Sequence, residues 1–331
     1  MKDARLLVVA LREPASVGGL SSAGWNALIA MARAERLIGT LAVRLADRDV
    51  PAAVRPILAD ARLDAAREAQ QALWEADRAV AALADVHAPV ILLKGTAYAA
   101  AGLMAGEGRF IGDLDILVPR AALDAVEAAL FAAGWEWAKP DPYDDAYYRQ
   151  WMHELPPMIH QTRDRMIDVH HTILPLTARP TPDAAAMIAE AIPISDGLCV
   201  LSPEDRICHA VAHMLADGDL QGGLRNLWDI HCLLADIGDL AALDRRAARH
   251  GLGQHVRRAQ RLAAALYGDG ARPTYRDRLF IRRLLARDAW GRETRKLLVF
   301  AFFVRSHWLR MPPLMLARHL FTKWRKGHRP A

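Results

Sequence analysis

The sequence predicts an α+β fold, mostly helical, in which a small mixed β-sheet core is flanked by N- and C-terminal helical regions. Three observations predict it. Apolar residues make up 53% of the 331-residue chain and aromatics only 7%, a mix rich in alanine and leucine that favours helices over a β-sandwich. Short apolar, strand-like runs cluster between Val90 and His170. Long stretches with helical spacing lie on both sides of that cluster. A chain of this length can bury a large core and divide into two or three subdomains.

In chain order, residues 1–86 read as helical. Ser21-Ser22 offers an N-cap to a helix carrying Trp25, Leu28, Ile29, Ala32 and Arg36 at helical spacing. Residues 57–86 form a long Ala/Arg/Glu-rich helix with a solvated charged face. Ala88-Pro89 ends it, because a residue before proline is pushed out of the α region. Residues 90–93 then form a buried strand stopped by Gly95, residues 96–104 a helix, and Gly106-Glu107-Gly108 a turn. A second strand over 114–118 stops at Pro119, and a helix over 121–133 closes at Gly134. Beyond a mixed stretch over 135–155, residues 158–160 and 166–170 read as an antiparallel hairpin around Thr162-Arg163-Asp164-Arg165. From Thr181 onward the pattern is helical again, with Ser202-Pro203-Glu204-Asp205 as a start signal.

The chemistry concentrates in the second strand. Asp113 and Asp115 are two residues apart in an otherwise apolar run, so both side chains share a face. Like charges held side by side cost several kcal/mol unless neutralised, roughly as any unpaired buried charge does. A divalent cation is the natural neutraliser, and the carboxylate set suits Mg²⁺ or Mn²⁺.

The run Gly112-Asp113-Leu114-Asp115-Ile116-Leu117-Val118 resembles the DNA-polymerase-beta-like nucleotidyltransferase superfamily. Leu93-Lys94-Gly95, Arg109 to Val118, Ile167-Asp168-Val169-His170 and Leu224 to Ile230, in that order, narrow the resemblance to an uncharacterised bacterial nucleotidyltransferase family, over roughly residues 5–260. The resemblance implies three regions: helical over 1–86, a catalytic core over 87–178, and a helical region with a basic tail over 179–331. It also implies a metal-dependent enzyme moving an NMP from an NTP to a hydroxyl of an acceptor, which can be a protein, a tRNA or a small molecule. Two cations about 3.5–4 Å apart would stabilise the attacking and leaving oxygens. Asp113, Asp115 and Asp168 would be the catalytic, metal-holding carboxylates. Lys94, Gly95, Thr96, Arg109, Gly112 and His170 would form the nucleotide side. Gly95 would let the backbone approach the triphosphate, Thr96 would add a hydroxyl at a helix N-terminus, and Lys94 and Arg109 would neutralise phosphates. His170 would orient Asp168 or touch the nucleotide. The superfamily's usual Gly-Ser is replaced here by Lys94-Gly95-Thr96, a form the resembled family shares. The spacing from Gly95 to Asp113 implies a loop over the site near Gly106 to Gly108.

Other features have plainer expectations. Arg225 and Asp229, four apart on a helix, suit an intrahelical ion pair. Cys208, His209 and His213 invite a zinc reading, but no Cys-x-x-Cys accompanies them and no Glu follows His209, so buried or capping histidines are expected. From Gly291 to the end ten Lys/Arg face one acid, a tail suited to an acidic partner or peripheral membrane contact, or to a solvated helical face. The run from Leu297 to Val304 is expected to be a buried helix closing the domain. Three cysteines without a disulfide pattern, no signal-peptide core and no transmembrane run point to the cytoplasm. The competing class is a non-catalytic nucleotide- or partner-binding module that retains the fold. A phosphohydrolase lacks its histidine-aspartate motifs.

Overall fold

The computed structural model describes residues 3–195, 197–268 and 272–317. One seven-stranded mixed sheet forms its centre: β1 (Val90–Leu92), β2 (Asp113–Leu117), β3 (Trp135–Trp137), β4 (Met158–His160), β5 (Met166–His170), β6 (Ile192–Ser195) and β7 (Leu198–Val200), in the order β3-β4-β5-β2-β1-β7-β6. β2 runs parallel to β5 and antiparallel to β1, and β1 runs parallel to β7.

Helices surround the sheet. Before it come α1 (Arg5–Arg12), α2 (Ser22–Ala34), α3 (Ile38–Arg44) and the long α4 (Arg55–Ala82); within it lie α5 (Lys94–Ala100), α6 (Leu123–Ala132), α7 (Pro142–Trp151) and α8 (Ala184–Ala189). After it follow α9 (Pro203–Val211), α10 (Gly223–Asp236), α11 (Leu240–Arg249), α12 (Gly253–Leu266), α13 (Tyr275–Leu284) and α14 (Lys296–Arg310). The Ser21 hydroxyl accepts from the Gly24 amide at 3.3 Å and the Ser202 hydroxyl from the Asp205 amide at 3.3 Å, so both expected caps form. α4 packs on α3 and α5 and lies across β2. The apolar residues of β1, β2 and β5 join the same core as α2, α3, α9, α10 and α12.

The α+β class with helical flanks is what the chain adopts. Three strands were not expected. β3 is only three residues long, and β6 and β7 interrupt the stretch after Thr181 read as helix. β6 contains Pro193, tolerated because β6 is an edge strand and a ladder hydrogen bond is not demanded there. The run at Leu297–Val304 is helical but not buried. α14 sinks Phe302 and Ser306 and leaves Leu297, Phe300, Val304 and Trp308 exposed. The basic tail from residue 318 on, with Trp324, lies outside the described residues. No described helix is long and apolar enough to cross a membrane.

The loop over 104–110, expected over the site, is docked on the N-terminal helices instead. Gly108 has a φ of +62°, and a Cβ there would meet the Gly39 carbonyl at 2.4 Å, so glycine permits backbone-on-backbone contact with α3. The Thr40 hydroxyl donates to the Glu107 carbonyl at 3.0 Å, and Glu68 accepts from the Ile111 amide at 2.9 Å. These contacts fix the approach of the chain into β2.

Candidate active site

Strand alternation and register together build the carboxylate cluster. Asp113 opens β2 exposed, and Asp115 follows on the same face at 2% exposure. In the parallel β2–β5 pair Asp115 is the register partner of Asp168. Asp113, Asp115 and Asp168 each present a carboxylate oxygen within 4.8 Å of the others. Asp168 Oδ1 is buried without a hydrogen-bond partner, an orphaned acceptor of the kind a cation satisfies. Arg163 and Arg165, in the turn of the same hairpin, pair with Glu75 and Gln71 instead of Asp168. The donor set and the orphaned oxygen fit a hard divalent ion.

Two side chains already reach the cluster. Lys94 Nζ donates to Asp115 Oδ1 at 2.6 Å, and His170 Nε2 lies 3.0 Å from the same oxygen. Lys94 opens α5 at a φ of +47°, an unfavourable backbone for a non-glycine residue, and its ammonium reaches Asp115 on β2. Burial alone would raise the Asp115 pKa, but Lys94 and His170 overcome it and hold the carboxyl well below the usual range. Burial opposes the charge on Lys94 as well, yet Asp115 raises its pKa on balance. Asp168 goes the other way. Burial, then the negative charges of Glu154 and Asp115, push it up to about 7.

The remaining expected residues spread more widely. Thr96 is 1% exposed with its hydroxyl unpartnered, beneath the surface of the seven-residue α5. Gly95 is required by packing: a Cβ there would lie 2.6 Å from Arg109 Nε and 3.1 Å from Ile111 Cγ1. Arg109 fills the space over Gly95, stacks toward the Tyr98 ring at 5.6 Å, and ion-pairs with Asp229 on α10. Asp229 also pairs with Arg225 at 2.7 Å, the expected contact four apart on the helix, and Arg225 donates to the Thr40 hydroxyl at 2.6 Å. Arg109 thus joins core and helical flanks rather than pointing at the carboxylates. Gly112 is exposed beside Asp113. His170 is 2% exposed and lies beneath the cluster, hydrogen-bonded to Asp115 rather than to Asp168.

Residues not singled out by the sequence also reach the site. Arg36, exposed at the end of α2, brings its guanidinium to 3.9 Å from where a Gly112 Cβ would stand. His153 and Glu154 lie in the irregular segment after α7, with Glu154 Oε2 3.4 Å from His170 Nδ1. No periodic pattern marks His153 or Glu154, and the helical spacing that includes Arg36 says nothing of the site. His209 is 4% exposed, and burial reinforced by Lys94 and His170 depresses its pKa strongly, so it is neutral. A groove of about 690 Å³ is lined by Tyr143, Tyr147, Trp151, Pro312 and Leu314 among others, and none of the three aspartates lines it.

Comparison with known proteins agrees with this geometry. The family model described as an uncharacterised nucleotidyltransferase matches residues 21–268, spanning the sheet, α2 to α12 and every residue of the cluster. No curated protein matches the chain.

Proposed function

Since the chain belongs to the uncharacterised nucleotidyltransferase family, we propose that it transfers an NMP from an NTP to a hydroxyl of an acceptor protein, RNA or small molecule. Asp113, Asp115 and Asp168 are the proposed metal-holding carboxylates. The observation that carries this reading is the Asp115–Asp168 register pair, completed by Asp113 and by the unpartnered Asp168 oxygen. Bound there, Mg²⁺ or Mn²⁺ would neutralise charge on the phosphates and on the attacking and leaving oxygens.

The chain's own groups have distinct proposed parts. Lys94, charged throughout the neutral range, pins Asp115 and offers a fixed positive charge at the cluster's edge. His170 holds Asp115 from below. Asp168, the third of the metal-holding carboxylates, helps to activate the acceptor hydroxyl. Arg36, exposed above Gly112, supplies the phosphate contact first expected of Arg109. Arg109 positions the strand end by filling the space over Gly95.

One observation favours the non-catalytic alternative: the Lys94–Asp115 ion pair places a protein cation where a metal-binding carboxylate is wanted. A transfer assay separates the two. Incubation with each α-labelled NTP, Mg²⁺ or Mn²⁺ and cell extract is expected to label an acceptor, and Asp113→Ala to abolish the label. Transfer that survives Asp113→Ala sinks the assigned site. No transfer, with no metal-dependent NTP binding by calorimetry, leaves the binding module.

A further inference from the structure

Beneath the aspartates lies a second cluster of different chemistry. His153, Glu154 and His170 each present one ligand atom within 4.8 Å of the others. We propose that this cluster is a separate site for a zinc-class divalent transition metal, held by two imidazoles and one carboxylate with a fourth position open. The site does not depend on the nucleotidyl-transfer reading.

Hydrogen-bond geometry carries the argument. His170 Nε2 lies 3.0 Å from Asp115 Oδ1, where it donates, which leaves the ring's Nδ1 facing Glu154 Oε2 at 3.4 Å. A ring nitrogen and a carboxylate oxygen that face each other need a positive centre between them, a proton or a metal ion. A shared proton would draw the pair to about 2.7–2.9 Å, and His170 Nδ1 has no hydrogen-bond partner although the side chain is 98% buried. An ion bonded at about 2.0–2.1 Å to each atom in tetrahedral geometry sets neighbouring ligand atoms about 3.4 Å apart. The second edge, His153 Nε2 to Glu154 Oε2, is 3.7 Å. His153 Nδ1 is likewise buried and unpartnered.

The surroundings match a metal site. Asp115 on the far side of His170 is the orienting carboxylate that metal-bound histidines use, which fixes the ring and its tautomer. The backbone is preset as well: Glu154 bridges to His170, Leu155 donates to the Val169 carbonyl, and His171 donates to the His153 carbonyl, each amide bond at 2.9 Å. His153 and Glu154 keep 13% and 15% side-chain exposure, which gives an ion a way in. Imidazole with one carboxylate selects zinc-class ions over magnesium, so the two clusters divide hard from borderline cations.

The test titrates chelator-stripped full-length protein with Co²⁺, followed by visible absorption, and with Zn²⁺ against a chromophoric chelator. Wild type and Asp113→Asn are expected to take up one equivalent of Co²⁺ with the intense visible bands of four-coordinate nitrogen ligation. His153→Ala and Glu154→Gln are each expected to lose those bands and to weaken Zn²⁺ binding by at least the roughly 10–100-fold that loss of a mere outer-shell partner produces, with circular dichroism unchanged. Should His153→Ala fail to fold, Glu154→Gln decides. Zn²⁺ affinity equal in wild type and the folded variants, or binding abolished by Asp113→Asn, overturns the proposal.

Discussion

Replacing Asp168 by asparagine is expected to stabilise the metal-free protein at high pH while destroying its proposed chemistry. The Asp168 carboxyl is pushed from an ordinary 3.8 to about 7 by burial and by Glu154 and Asp115. At about 1.4 kcal/mol for each pH unit, ionising it in the folded state costs about 4 kcal/mol, and relaxation with partial solvation brings this to about 2–4 kcal/mol. The sign follows from linkage. Below about pH 4 the group is neutral whether folded or unfolded, and no penalty exists. Between about pH 4 and the folded pKa near 7 the unfolded chain has lost its proton while the folded state keeps it, so stability falls across that window and levels off above it. Asparagine keeps the shape without the charge. Thermal melts in chelator should therefore show Asp168→Asn close to wild type at pH 4 and more stable at pH 8.5, by about 4 °C or more for a chain of this size. Added Mg²⁺ should restore wild type at pH 8.5, because an ion that binds only the folded state stabilises it, and should leave Asp168→Asn unmoved. Parallel melting curves for the two proteins across pH 4–8.5 would refute the uncompensated carboxylate.

Two further substitutions separate binding from architecture. Arg109→Ala leaves Asp229 and the space over Gly95 without their partner, so it should destabilise the fold by about 3–5 kcal/mol in urea titration; an unchanged midpoint with a raised KM for NTP would return Arg109 to the phosphates. Arg36→Ala should do the opposite, raising the KM for NTP about tenfold, or about 1.4 kcal/mol, with the melting temperature unmoved, and an unaltered KM would remove Arg36 from the site.

The legible parts of the molecule were those written in local period. Asp113 and Asp115 share a strand face by alternation alone, and the caps at Ser21 and Ser202 are visible from residue type. Asp168 was recognisable as a strand acid, but its alignment with Asp115 depends on β5 running parallel to β2, a pairing that no local pattern specifies. Arg109 illustrates the limit more sharply. Its neighbourhood to the motif suggested a phosphate ligand, whereas its partner Asp229 lies 120 positions downstream. Gly95 was read as room for a ligand and is room for that arginine. β6 and β7 were hidden because strands of three and four residues with an edge proline carry almost no periodic signal. His153 and Glu154 sit in irregular backbone, where side-chain direction follows from tertiary bridges alone.

The charges at the site constrain how it can fill. With its three carboxylates ionised, the aspartate cluster presents three negative charges, faced by the Lys94 ammonium. Two negative charges remain, the amount that one divalent cation cancels. Lys94 stays on Asp115 through this balance, since Asp115 raises its pKa and the strained backbone at Lys94 holds the ammonium in reach. A second divalent ion would leave the site net positive unless an anion arrives with it, and a triphosphate carries the charge required. The electrostatics therefore favour one ion bound to the free protein and a second bound together with NTP. Equilibrium dialysis should then find Mn²⁺ stoichiometry at the aspartates rising only when nucleotide is present.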